Sequence, residues 1–200
     1  MTRCLLLVID IQRGAFDGQR CPPIDTPEPF LAHARALVEA AREGEHPIVF
    51  VQHCETTPGE VFEEGTPHWL LHEALQPDPA RGAQERILKK YASSAFEHTE
   101  LDAWLQALGD GEAPELLVCG LQSEFCVSNT VRSALALGYA VQLAEDAHNT
   151  WPSADRSAAE IRAEVNAQLA RAGARLASTE ALSARLSRGA GSGLMDLPLP

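Results

Sequence analysis

Six consecutive apolar residues, Cys4-Leu-Leu-Leu-Val-Ile9, run without a polar interruption and stop at Asp10. A strand with one face in water alternates apolar and polar residues, so an unbroken run of this length predicts a strand covered on both faces. Such strands belong to parallel sheets sandwiched between helices. Further β-forming segments are Pro47-Ile-Val-Phe-Val51, Arg86 to Lys90, Glu115 to Gly120, Tyr139 to Ala144 and Arg175 to Ala177. Helical spacing separates them. Phe30, Leu31, Ala34, Leu37, Val38 and Ala41 mark one helix over Glu28 to Arg42, and Thr99 caps another over Glu100 to Leu108. A third is capped by Ser123 and closed by Gly138, a fourth spans Ala158 to Ala172 before Gly173, and a fifth runs from Glu180 to Leu186. A short helix is also predicted around Leu70 to Leu75. The pattern predicts an α/β fold of three layers, α/β/α, on a doubly wound, mainly parallel six-stranded sheet.

A chain of 200 residues with 45% hydrophobic content can bury one substantial core. Residues 1–187 read as a single domain, and residues 188–200, with GAGSG and two prolines, as a flexible tail. The formal charge of −12 argues against nucleic acid and anionic membrane surfaces as partners. Five cysteines, an odd number with no CxxC pair, fit a reducing compartment. The first apolar run is too short for a signal-peptide core or a membrane span, so a cytoplasmic location is expected.

Doubly wound sheets place ligands at the carboxyl ends of their strands. That rule gathers Asp10, His53, Lys90, the segment Leu121 to Cys126, and Asp146 on one rim. Cys126 falls in the first turn of a helix, where free amides and the helix dipole favour a thiolate. Placement alone leaves an inert buried cysteine equally open. Asp10 ends an apolar strand and needs a cationic or proton-sharing partner to offset its desolvation. Lys90 ends its own strand, whereas Lys89 must face the other way. A carboxylate can take a thiol proton, and an ammonium can hold that carboxylate and stabilise a developing anion, which is the logic of covalent catalysis.

Three blocks carry a likeness to known proteins: LLVIDIQRGAF at residues 6–16, KYASSAFEHTELDAWL at 90–105, and VCGLQSEFCVSNTVRSALALGYAVQLAEDA at 118–147. In these the chain resembles the isochorismatase-like cysteine hydrolases, which include nicotinamidases and N-carbamoylsarcosine amidases. The resemblance implies Asp10 as general base, Lys90 as the cation of a triad and Cys126 as nucleophile, Lys90 standing four residues before Ser94-Ala95-Phe96. It also implies a cis peptide between Leu121 and Gln122, an oxyanion hole from the backbone amides of Gln122 and Cys126, and a homo-oligomer. The implied reaction is hydrolysis of a C–N bond in a small amide, ureide or lactam through a thioester on Cys126. Nicotinamidases carry an Asp-x-His motif for a divalent metal; here that stretch is Val51-Gln-His-Cys-Glu-Thr, so no metal and no other cofactor is expected.

Gln12, Phe16, Trp69, Phe125 and His148 fall near the expected rim and are candidate substrate contacts, with Gln122 and Trp151 as further ones. Loop anchoring is the competing explanation for the aromatic residues and for His148. Two other functions stay open: a nicotinamidase or vinyl-ether hydrolase, and a non-catalytic thiol or interaction protein on the same fold.

Overall fold

The computed structural model describes residues 4–108 and 113–189. Among these, six strands form one parallel sheet: β1 (Cys4–Ile9), β2 (Ile48–His53), β3 (Glu85–Lys90), β4 (Glu115–Leu121), β5 (Val141–Asn149) and β6 (Arg175–Ala177). Their order across the sheet is β3-β2-β1-β4-β5-β6. Among the described residues the α-helices are α1 (Pro27–Glu43), α2 (Leu101–Leu108), α3 (Ser128–Ala136), α4 (Ala158–Ala172) and α5 (Thr179–Leu186).

The apolar run of β1 divides between two cores. Cys4, Leu6 and Val8 pack with Phe30, Leu37 and Leu182 of α1 and α5. Leu5, Leu7 and Ile9 pack on the other face with Leu105, Val131 and Ile161 of α2, α3 and α4. Both side-chain rows of a pleated strand are thus buried, which is why polar residues are missing from it. Among the described residues no helix is long and apolar enough to cross a membrane.

The chain order reverses between β1 and β4, and the crevice beyond their carboxyl ends is where doubly wound sheets bind ligands. Gly120 makes this close approach possible. Its φ is +131°, and a Cβ there would lie 2.1 Å from the Ile9 carbonyl oxygen, so only glycine fits.

Several elements differ from expectation. The fifth strand continues past Ala144 to Asn149, because a register shift opposite Val118 to Gly120 absorbs Glu145 and Asp146 before pairing resumes at His148. Polar residues inside the irregularity break the apolar pattern that would have betrayed its length. Leu70 to Leu75 holds one short 3-10 turn, Glu73–Leu75, rather than a helix, and another, Pro67–Trp69, precedes it. Ser123 does not cap α3: a π-helical turn, Ser123–Val127, precedes that helix. Residues 190–200, most of the expected flexible tail, lie outside the described residues.

Candidate active site

The site starts at Asp10. Its φ of 52° turns the chain sharply at the end of β1, a left-handed conformation that Asp adopts more readily than most residues. Its side chain is buried, and Oδ2 lies 2.7 Å from the Lys90 ammonium. Lys90 is fully buried at the end of the edge strand β3. A lone ammonium in that position would cost several kcal/mol of solvation, so its partners determine whether it is tolerated. Besides Asp10, Nζ donates to Cys126 Sγ at 3.1 Å and to the Ala92 carbonyl at 3.2 Å, and lies 3.2 Å from His53 Nδ1. Burial pulls the lysine pKa down, but the negative charge of Asp10 and the hydrogen bonds to Asp10 and Cys126 outweigh it and hold the ammonium above its ordinary range. Lys89 points away, pairing with Glu64 at 2.7 Å and lying over the Trp69 ring.

Cys126 sits in the π-helical turn that follows β4, with Sγ also 3.9 Å from the Ser93 hydroxyl. The thiolate favoured by a helix start is not its resting state. Burial, followed by the charge of Asp10, pushes the thiol up to about 11, and Lys90 offsets this only in part. The proton therefore rests on sulfur at neutral pH, beside a carboxylate that can accept it. His53 is kept neutral, its pKa lowered by burial and then by the charge of Lys90, so it can accept a hydrogen bond from the ammonium.

A cavity of about 600 Å³ opens over these groups, lined by Asp10, His53 and Cys126 and by Gln122 from the turn after β4. The peptide bond between Leu121 and Gln122 is cis. The rest of the lining comes largely from two loops, with Cys21, Pro22 and Asp25 from one and Glu55 and Phe62 from the other. Trp151 completes it, fixed by a hydrogen bond from Nε1 to the Pro22 carbonyl at 2.6 Å.

The other sequence candidates go elsewhere. Gln12 is fully buried and staples loops together, donating to the carbonyls of His53 and Trp69 and accepting from the His53 amide. Phe16 packs against Phe30 and His72, outside this cavity. Trp69 donates to Cys54 Sγ and faces a different groove. Phe125, although next to Cys126, is half exposed and does not line the cavity. His148 is fully buried inside β5, with Nδ1 at 2.8 Å from Ser123 Oγ and Nε2 at 2.8 Å from Asn166 Oδ1. Asp146 leaves the rim as well, accepting from the backbone and hydroxyl of Thr179 at the start of α5. No periodic signal in the sequence marks Phe62, Asp25 or Cys21, because loop folding alone brings them to the rim.

The residues here do not fit a metal ion. Val51, which stands where the Asp-x-His motif would require a carboxylate, is core, and His53 faces an ammonium. Among the described residues no three His, Cys, Asp or Glu side chains are grouped to hold a cation.

Fold and pocket together define a class: doubly wound α/β proteins with a cysteine, a carboxylate and a lysine gathered where the strand order reverses. An isochorismatase domain matches residues 4–181, and the chain belongs to the isochorismatase family, a family of hydrolases. A streptothricin hydrolase of Streptomyces noursei is 37% identical over 146 residues, which cover 73% of this chain and 49% of that protein. The chain thus spans about half the length of this relative. The isochorismatase family protein YddQ of Bacillus subtilis (strain 168) is 34% identical over 143 residues, covering 71% of this chain and 75% of that one. An isochorismatase-family structure from Chromobacterium violaceum superposes with a TM-score of 0.81 at 31% identity, covering 93% and 94% of the two chains.

Proposed function

We propose that the protein hydrolyses a C–N bond of a small amide, ureide or lactam through a thioester on Cys126. One observation carries the reading: the Lys90 ammonium lies 2.7 Å from Asp10 and 3.1 Å from Cys126 Sγ at the floor of a cavity. Similarity to a streptothricin hydrolase supports hydrolysis, and the cavity supports a small substrate.

Asp10 takes the thiol proton as a substrate carbonyl arrives, and sulfur attacks the carbonyl carbon. Lys90 keeps Asp10 in place and stabilises the charge that moves onto sulfur and then oxygen. Backbone amides of Gln122 and Cys126 hydrogen-bond the oxyanion. Asp10 returns its proton to the departing nitrogen, the C–N bond breaks and the amine leaves. Water, deprotonated by Asp10, then attacks the thioester; the C–S bond breaks, the acid is released and the thiol regains its proton. One water is consumed for each amide cleaved.

The test is amine release across a panel of amides, ureides and lactams, with intact-mass detection of an acyl adduct on rapidly quenched enzyme. Turnover with an adduct located to Cys126, both absent from Cys126→Ala, is expected. Amine release by the Cys126→Ala protein at the native rate would end the thioester reading.

A further inference from the structure

The cavity contains two carboxylates that the proposed chemistry does not use. Asp25 comes from the loop before α1 and Glu55 from the loop after β2, and both line the space above Cys126. Glu55 is held in place, its Oε2 accepting from the Phe62 amide at 2.6 Å. Neither carboxylate makes an ion pair among the described residues, and no lysine or arginine lines the cavity. The Lys90 charge is taken up by Asp10 beneath the floor. Arg20, from the same loop as Asp25, is engaged with Glu63 at 2.8 Å. His53 is neutral, as described above.

A further feature of the lining favours a positively charged guest. Phe62 and Trp151 add aromatic surface beside Glu55 and Asp25. Aromatic groups next to carboxylates attract ammonium and guanidinium groups by quadrupole and Coulomb terms together, more strongly where water is partly excluded. Glu55 and Asp25 would repel an anionic substrate.

From this charge pattern, and resting on the amidohydrolase reading, we infer that the substrate is a small amide bearing a cationic amine or guanidine, held by Glu55 and Asp25 while its carbonyl sits over Cys126. These two residues set specificity and take no part in bond breaking.

Three amides of matched length provide the test: 5-aminopentanamide, hexanamide and glutaramate, which are cationic, neutral and anionic. Ammonia release gives kcat/KM, and calorimetric titration of the Cys126→Ala protein gives affinity without turnover. The cation is expected to bind about tenfold more tightly than the neutral amide, with the anion weakest. The double variant Glu55→Gln/Asp25→Asn should erase that ratio, while Glu64→Gln, which alters a carboxylate paired with Lys89 outside the cavity, should keep it. Affinities that ignore charge, no binding by any of the three, or an ordering that survives the double variant would overturn the inference. If the cation binds best yet no amide is hydrolysed, the amidase reading falls and charge selection stands.

Discussion

Buried carboxylates occupy both ends of the same sheet, and they are treated in opposite ways. At the amino ends of the strands, Glu115 begins β4 and is held by Arg175, Arg185 and the Gln142 amide. Glu85 begins β3 and receives both nitrogens of an Arg42 fork, the Asp78 amide and the Arg81 guanidinium. Burial alone would raise the pKa of each, but these donors outweigh it, and both stay ionised below the ordinary carboxylate range. At the carboxyl ends, Asp10 has a single ammonium, one oxygen without a hydrogen-bond partner, and a thiol within reach of the same lysine. A carboxylate with every lone pair engaged is a structural fastener. One left incomplete beside a cavity can exchange a proton.

Substitutions at the two ends should therefore separate activity from stability. The largest effect belongs to Lys90→Ala, expected to lower kcat by at least about 10³-fold and stability by about 3–5 kcal/mol, because it leaves Asp10 buried and unpaired. Pairing it with Asp10→Asn should restore much of the stability and none of the turnover, whereas Lys89→Ala should stay within about twofold of the native rate, its charge pair being exposed. Urea unfolding and steady-state kinetics check all three; a Lys89 effect equal to that of Lys90 would mean that the wrong lysine has been assigned.

Acid should act next. His148 is fully buried and neutral, its pKa lowered from 6.5 to about 4, chiefly by burial. The unfolded chain takes up this proton first, so its contribution is complete above about pH 6.5 and declines down to about 4, by about 3 kcal/mol in all. Unfolding curves at pH 7 and 5 should differ accordingly. Equal stability at both values, after allowance for other groups, would mean that the imidazole is not sequestered.

At the amino end, Glu115→Gln should cost about 2 kcal/mol, less than a fully buried pair because Arg175 and Arg185 retain access to water. The kcat of the folded enzyme should be unchanged; a large drop would erase the distinction between the two ends. The smallest effect is on labelling. Alkylation of Cys126 by iodoacetamide should rise with pH toward a midpoint near 11, and Asp10→Asn should move that midpoint down, since the carboxylate holds the thiol pKa up. A midpoint that stays fixed or moves up would show that Asp10 does not act on the sulfur.

Much of the frame was legible in the residues. The continuous apolarity of Cys4 to Ile9 announced a doubly covered strand, and the switch from short apolar bursts to spacings of three and four announced the helices between. Because strand ends are local features, Asp10, Lys90 and Cys126 could be aligned on one rim before any distance was known. Two local readings failed: the register shift in β5 carries His148 into the sheet, and the π-helical turn that precedes α3 leaves Ser123 hydrogen-bonded to that imidazole instead of capping the helix.

The sequence by itself determined the layered sheet and the positions where chemistry could stand, since periodicity and strand ends depend on neighbours along the chain. Tertiary structure decided which candidates meet. It put Gln12, Phe16, Trp69 and His148 into packing and loop anchoring, and it brought Asp25, Glu55 and Phe62 over the sulfur. It also set the proton affinity of Cys126, because a thiol's proton affinity depends on burial and on charges carried by residues distant in the chain, and these are set only when β1, β3 and β4 come together.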